Sequence, residues 1–338
     1  MPPAPTPPSG DSLSDWPALH GAAFRGRRAL VTGGAGFIGS HLATALFRLG
    51  CHVVVLDDLS GGNEANLRHL PGVHFIRGSI LDTNLLARCS HGCDLIFHQA
   101  GLGSVPGSIN QPRRYYEVNV NGTLNVLEAA RLSGTKRVLF AASSSAYGDS
   151  EVLPKVETMP PLPKSPYAAT KVAGEGLMRA YSGSYGLDTA SLRYFNIFGP
   201  RQNANSAYAA VIAGFAKAVL AGNNPTIYGD GTQSRDFTHV DNAVHANLLA
   251  ARAAQPIGGE VVNVACGQRV TVAELASEAT VALGRPELTP VYASERPGDV
   301  KHSLADLTRA RTLLGYEPIV PFAQGLRQTL AWYQSAGA

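Results

Sequence analysis

In SPYAATK, residues 165–171, a phenol at Tyr167 stands four positions before an ammonium at Lys171, just past a loop carrying Pro160, Pro161, Pro163 and Pro166. An isolated tyrosine titrates near pH 10 and is a poor base at neutral pH. Positions i and i+4 of a helix share a face, so Lys171 can lie beside Tyr167 and favour the phenolate. Bringing a phenol from near 10 to near 7 takes roughly 4 kcal/mol, part of which a buried ammonium can supply. The same spacing also arises on solvated helix surfaces, so the pair gains meaning only from its setting. AASSSAYGD, residues 141–149, supplies one. It follows the apolar run RVLF and places Ser143, Ser144 and Ser145 at the carboxyl end of a predicted parallel strand, where ligands bind in such sheets. Serines there also form plain turns. Taken together, Ser143, Tyr167 and Lys171 read as a hydride-transfer site: a hydroxyl that orients, a base and a cofactor anchor.

The elements that must position these groups begin at Arg28. RALVT, a glycine turn, HLATALFRLG and then HVVVLD read as strand, helix, strand, the second strand apolar as in a sheet buried on both faces. VHFIRG, DLIFHQA, a helical stretch from about 113 to 132, RVLFAAS, the helix opened by SPYAATK, and LDTASLRYFN continue the alternation. Strands alternating with helices predict a doubly wound parallel sheet. The turn TGGAGFIG has glycines at 33, 36 and 39. Gly33 permits the turn, Gly36 lets a pyrophosphate approach the backbone, and Gly39 lets helix and strand pack closely, while the helix N-terminus offers N–H donors. Asp57 ends the second strand, 18 residues after Gly39, where a carboxylate can accept bonds from the adenosine ribose; a strand-end aspartate can equally cap a turn. That carboxylate, with Asp58 beside it, repels a 2′-phosphate, so NAD is expected rather than NADP. The positive nicotinamide ring then adds to Lys171 in favouring the phenolate.

The fold class expected is therefore α/β, a Rossmann-type doubly wound parallel sheet with a smaller mixed α/β substrate-binding domain. Residues 26–196 are assigned to the NAD-binding domain, with returning segments near 237–264; 197–236 and 265–338 to the smaller domain; and 1–25 to a mobile Pro-rich tail from which Leu13, Trp16 and Leu19 can dock on the body.

With 338 residues, 45% hydrophobic and 16% charged, the chain has an ordinary globular balance, and no run of about 18 apolar residues suggests a membrane span. The formal charge of +3 is scattered, which gives no case for nucleic acid. Four cysteines are too few for a disulfide framework and point to a reducing, cytoplasmic setting. CSHGC, Cys89 to Cys93, lacks a second ligand pair at metal spacing and reads as a helix end, so no metal is expected.

From about residue 26 onward the chain resembles the extended short-chain dehydrogenase/reductases, and within them the nucleotide-sugar 4-epimerases. TGGAGFIG, DDLS, HQAGLGSVPGSI, YEVNVNGTLNVLEAA, SSSAYGD, SPYAATK, LRYFNIFGPRQ, GDGTQSRDFTHV and RPGDVKHSLAD occur in the family's order. HQAGLGSVP, FGPRQ followed by AYAAV, and HSLAD look most similar to the bacterial UDP-N-acetylglucosamine 4-epimerases. The resemblance implies that Tyr167 removes the proton of the sugar 4-hydroxyl while hydride passes from carbon 4 to tightly held NAD, with Ser143 bonded to the same oxygen. The 4-keto sugar then turns over and takes the hydride back on its other face. It further implies a cofactor set of Gly33, Gly36, Phe37, Ile38, Gly39, Asp57, Asp58, Ser60, Ser79, Ile80, Gln99, Ala100, Gly101, Asn119, Tyr167, Lys171 and Tyr194. On the UDP-sugar side it implies Gly103, Ser104, the serines 143–145 (Ser143, Ser144, Ser145), Asn196, Ala210, Val211, Thr226, Tyr228 and Ser303. Arg235 and Arg296 match the diphosphate grip, to which guanidinium forks are suited, and Asp299 a ribose position.

Ser303 matches the family's gate residue, where a small side chain leaves room for an N-acetyl group; it also reads as a helix N-cap before LADL, and the two are compatible. The resemblance thus implies UDP-GlcNAc and UDP-GalNAc as preferred sugars. A UDP-glucose 4-epimerase and, from a different class, a non-catalytic NAD-binding sensor or scaffold stand as alternatives. Ser79 occupies a position where many relatives carry an aspartate facing the adenine, a contact that Asp82 can take over, and Gly107 replaces a larger, often basic residue. The helices near 113–132 and 167–185 match a dimer interface in relatives, so a homodimer is expected.

Overall fold

HVVVLD forms a strand buried along all but its first residue, as a parallel strand covered on both faces should be. It is one of seven parallel strands in the central sheet of this computed structural model, which describes residues 12–203, 211–295 and 301–336. After α1 (Trp16–His20), the chain alternates β1 (Arg28–Thr32), α2 (Phe37–Arg48), β2 (His52–Asp57), β3 (His74–Arg77), α3 (Thr83–Ser90) and β4 (Leu95–His98). The helices α4 (Val105–Asn110), α5 (Pro112–Tyr116) and α6 (Gly122–Ser133) lead to β5 (Arg137–Ser143), α7 (Pro166–Tyr185) and β6 (Asp188–Tyr194). Short strands β7 (Ile197–Phe198), β8 (Thr226–Tyr228), β9 (Ser234–Arg235) and β10 (Thr238–His239) follow, with α8 (Val211–Leu220) between β7 and β8. Then come α9 (Val240–Arg252), β11 (Glu260–Val264), β12 (Val270–Thr271), α10 (Val272–Ala282), β13 (Val291–Ala293), α11 (Thr308–Leu314) and α12 (Phe322–Ala336).

The sheet order is β11-β6-β5-β4-β1-β2-β3, every neighbour parallel. The order reverses beside β1, and such switch points open a crevice at the strands' carboxyl ends. The doubly wound α/β fold expected from the alternation is thus the fold observed. One core lies on each face of the sheet, around Leu42, Val55 and Leu192 on one side and Leu86, Ile96 and Met178 on the other. A separate core gathers Phe198, Phe215, Ile227, Phe237, Leu275, Phe322 and Leu326, with Phe237 stacked on Phe322 at 5.8 Å.

Three expectations need correction. The proline-rich opening is not a tail as far as residue 25. From Ser12 on it lies against α9: Asp241 Oδ2 accepts bonds from Ser12 Oγ, Leu13 N and Ser14 Oγ at 2.8–2.9 Å, and Trp16 (1% exposed) and Phe24 join the main core. Leu13 and Leu19, by contrast, are exposed. Secondly, Ala305, Leu307, Ala310, Leu314 and Tyr316 pack in the core of the large sheet rather than with the smaller unit, because α11 lies against β11. Thirdly, Ser303 is no helix N-cap; α11 starts at Thr308 with Leu307 before it. The helical stretch near 113–132 is interrupted by a π turn at Glu117–Asn121. Among the described residues, no three His, Cys, Asp or Glu side chains gather as a metal set, and no helix is long and apolar enough to cross a membrane.

Candidate active site

The glycine turn sits between β1 and α2 at the switch point. Gly33 has φ +69°, and a Cβ there would fall 2.6 Å from the Ala100 backbone nitrogen; one on Gly39 would fall 2.2 Å from the Gly33 carbonyl oxygen. Both glycines are therefore required by close backbone approach. The Gly36 N-cap offers α2 no side-chain bond, which leaves N–H groups of its first turn facing the groove beyond. That groove encloses about 390 Å³ and is lined by Gly33, Gly36, Phe37, Ile38, Gly39, Asp57, Asp58, Ser60, Ser79, Ile80, Gln99, Ala100, Gly101, Gly103, Tyr167, Lys171 and Tyr194, among others. A glycine cradle under uncapped N–H donors, with a carboxylate at the end of the next strand, fits a dinucleotide.

Asp57 has a double role, as both of its readings allowed. It lines the groove, its bond from Ala35 N at 2.9 Å ties the glycine loop to β2, and its bond from Leu59 N at 2.8 Å caps the turn that follows β2. Burial raises its pKa, with the Asp58 charge adding to the effect and the backbone bonds opposing it. Asn119 differs from expectation. It does not line the groove; its amide accepts from Leu102 N at 2.8 Å and donates to Leu102 O and Thr170 Oγ1, so it props the 101–103 loop from behind. Asp82 is likewise no groove residue, since its carboxylate caps α3 through Leu85 N. Tyr194 closes the groove floor, its hydroxyl bonded to Gln99 Oε1 and Asn247 Nδ2, with a pKa pushed by burial to about 12.

The helix α7 carries the phenol and the ammonium. Ser165 caps it through Ala168 N at 3.1 Å, Pro166 occupies its first turn, and its buried face includes Ala168, Lys171, Glu175 and Met178 at helical spacing. Lys171 is 6% exposed; its Nζ donates to Ala141 O at 2.8 Å and lies 4.9 Å from the Phe140 ring centroid and 6.0 Å from that of Tyr167. Burial lowers its pKa to about 8, against the pull of Glu175. Ser143, ending β5, accepts from Ser145 N and Ser145 Oγ and is hydrogen-bonded to Tyr167. The phenol itself departs from expectation: burial raises its pKa, Tyr115 adds to the rise, and only the Ser143 bond opposes it. The protein alone therefore keeps Tyr167 protonated, because a desolvated phenolate is disfavoured before any further positive charge arrives.

Two residues beyond β6, Asn196 enters a second cavity of about 250 Å³ that also brings together Val211, Thr226, Tyr228 and Arg235. Ser303 lies behind Asn196 rather than among the cavity's lining residues. Its Oγ accepts bonds from Asn196 Nδ2 at 3.3 Å and Asp236 N at 3.4 Å. Ala210, Arg296 and Asp299 lie outside the described residues. Sequence reasoning missed the floor of this cavity, Phe198, Phe237 and Val272, and also Asp236. Asp236 is fully buried and accepts from Cys266 N, Gly267 N and Ala305 N at 2.9–3.2 Å, lashing the Ser303 segment to Asn196; burial raises its pKa to about 6. A carboxylate between Arg235 and Phe237 was the available signal.

Residues 29–265 match the NAD dependent epimerase/dehydratase family. A UDP-glucose 4-epimerase of Mycolicibacterium smegmatis is 40% identical over 315 residues, 91% of this chain and 99% of the relative. The structure of a UDP-N-acetylglucosamine 4-epimerase from Methanobrevibacter ruminantium, in complex with UDP-N-acetylmuramic acid, superposes with a TM-score of 0.88 at 40% identity, covering 92% of this chain and 99% of that one. A UDP-glucose 4-epimerase from Thermus thermophilus in complex with NAD gives 0.82 at 36% identity, covering 91% and 99%. With the glycine cradle, the strand-end carboxylate, Tyr167 and Lys171 all in one groove of such a fold, and Ser143 beside Tyr167, the chain belongs to the NAD dependent epimerase/dehydratase family.

Proposed function

We propose that this protein interconverts UDP-GlcNAc and UDP-GalNAc as a 4-epimerase with retained NAD. The observation that carries the reading is the convergence of Ser143, Tyr167 and Lys171 at the carboxyl end of β5, beside a dinucleotide-shaped groove, with a serine rather than a bulky side chain at position 303 against Asn196. NAD, when bound, supplies the hydride acceptor and donor and a positive ring. Tyr167 takes the proton of the sugar 4-hydroxyl as its C4–H bond breaks, and Ser143 holds that oxygen. Lys171 lies one turn away, and its charge, added to that of the ring, favours loss of the Tyr167 proton to solvent beforehand, leaving the phenolate that accepts the sugar's proton. Once the 4-keto sugar has turned over, Tyr167 gives the proton back to the oxygen on carbon 4, where the bound cofactor would return the hydride from the opposite face, so there is no net oxidation. Arg235 and Arg296 hold the diphosphate and Asp299 the ribose while the sugar turns. Thr226 and Tyr228 border the uracil.

A second reading, UDP-glucose 4-epimerase, draws on the name of the M. smegmatis relative. We place the enzyme in the cytoplasm as a homodimer formed through α5–α7, where Tyr116 (57%), Leu132 (73%) and Tyr185 (58%) are exposed; a single monomeric species in sedimentation at micromolar concentration would refute the dimer. Proton NMR of the purified protein with UDP-GlcNAc, and separately with UDP-glucose, with no NAD added, tests the activity. UDP-GalNAc growing in faster than UDP-galactose is the expected result. Conversion of UDP-glucose alone would overturn the sugar choice, and no conversion even with NAD added would overturn the epimerase reading.

A further inference from the structure

A second phenol stands within electrostatic reach of Tyr167, bonded to the Ser104 backbone. Tyr115, on α5, is 6% exposed, and its hydroxyl oxygen accepts a bond from Ser104 N at 3.2 Å. Its own O–H proton has no acceptor among the described residues. A buried hydroxyl donor without a partner is uncommon, and a ligand acceptor satisfies it. Gly107 admits the Tyr115 hydroxyl: a Cβ at position 107 would fall 2.6 Å from Tyr115 Oη and 3.1 Å from Ser104 Oγ. The residue before Ser104, Gly103, lines the groove, and a Cβ there would meet nothing within 4 Å.

We propose that Tyr115 is a specificity-determining residue, donating its hydroxyl proton to the carbonyl oxygen of the substrate's acetamido group, and that Gly107 is small so that this hydroxyl can stand there. The inference rests on the acetamido-sugar reading above. An amide carbonyl is only an acceptor, so in a desolvated site it depends on a donor. A sugar hydroxyl can turn to give or accept and depends on Tyr115 less.

The test compares kcat/KM for UDP-GlcNAc and UDP-glucose in the enzyme carrying its own dinucleotide, for wild type, Tyr115→Phe, Gly107→Ala and the double variant, with thermal midpoints alongside. Tyr115→Phe is expected to lower UDP-GlcNAc turnover about tenfold and UDP-glucose turnover by at most about threefold. Gly107→Ala should do the same, because its Cβ displaces the hydroxyl. The double variant should be no worse than either single one, because without the hydroxyl the Cβ has room; such non-additivity marks one shared interaction. Equal losses on both sugars, or additive losses with a lowered midpoint, would reduce Tyr115 to a prop for the Ser104 loop and overturn the proposal. A wild type that turns over UDP-glucose but not UDP-GlcNAc would overturn it together with the acetamido reading, while the epimerase reading survives.

Discussion

Lys171→Met separates what the ammonium does for chemistry from what it does to the fold. Lys171 is 6% exposed, and burial brings its pKa from 10.5 to about 8. That drop corresponds to about 3 kcal/mol working against a charged ammonium inside the fold. Methionine removes the charge and keeps most of the volume, but it loses the bond to Ala141 O, about 1 kcal/mol, and the contact with the Phe140 ring, about 0.5–1 kcal/mol. The balance leaves the variant more stable by about 1–2 kcal/mol at neutral pH, while turnover falls by at least about a hundredfold. Because the folded pKa lies below the unfolded one, the penalty is complete below about pH 8, where both states are protonated. It shrinks as pH rises and is gone above about 10.5, where both states are neutral. Urea unfolding of nucleotide-free wild type and variant, at neutral pH and near pH 10, measures this; removing nucleotide avoids the binding free energy that would shift both curves. A variant less stable than wild type at neutral pH, or an advantage that does not shrink with alkalinity, would refute the argument that burial governs this lysine.

Tyr167→Phe should lower turnover by about a thousandfold on either sugar with little change in thermal midpoint, since the ring remains and only the proton acceptor is lost; steady-state rates and calorimetry check it. Ser303→Tyr puts a phenol against Asn196 and should reduce UDP-GlcNAc turnover more than tenfold while UDP-glucose turnover is largely kept, read by the same NMR assay. Trp16→Ala should destabilise by about 3–5 kcal/mol in urea titrations, because the indole is 1% exposed in the main core. Glu175→Gln should cost about 3–5 kcal/mol by leaving the buried Arg193 guanidinium, now bonded at 2.7–2.8 Å, without its counter-charge, and equilibrium unfolding again measures it.

Much of this site is legible in the sequence because its parts are set by short-range spacing. Gly33 is demanded by its positive φ at the turn and Gly39 by its contact with the Gly33 carbonyl inside one strand-turn-helix unit, and Tyr167 and Lys171 are set by a single helical turn, so their patterns can be read locally, although the Ala100 backbone also crowds Gly33. What stayed hidden depends on segments distant in sequence. Asn119 looks from its motif like a cofactor residue, yet its partners are Leu102 and Thr170. Asp236 reveals its purpose only when Cys266, Gly267 and Ala305 arrive around it. Trp16 sits in a stretch whose prolines argue for mobility, and only the presence of α9 and the main core makes its burial possible. The pKa of Tyr167 went unforeseen for the same reason: spacing gives the neighbour one turn away, whereas burial is a property of the whole fold.

The π turn at Glu117–Asn121 sets the phase between two faces of one continuous rod. Upstream of it Tyr115 faces Ser104; downstream, Val126, Leu127 and Ala130 face the sheet. Each residue of an α-helix advances the face by about 100°, so deleting one residue of the wide turn would restore a regular helix only by swinging one face away from its partners. Substitutions on α5 and α6 can be absorbed one at a time, but this stretch is intolerant of a change in length. Among homologous chains, a one-residue gap between 117 and 121 would therefore mark a remodelled sugar pocket even where Ser143, Tyr167 and Lys171 are all retained.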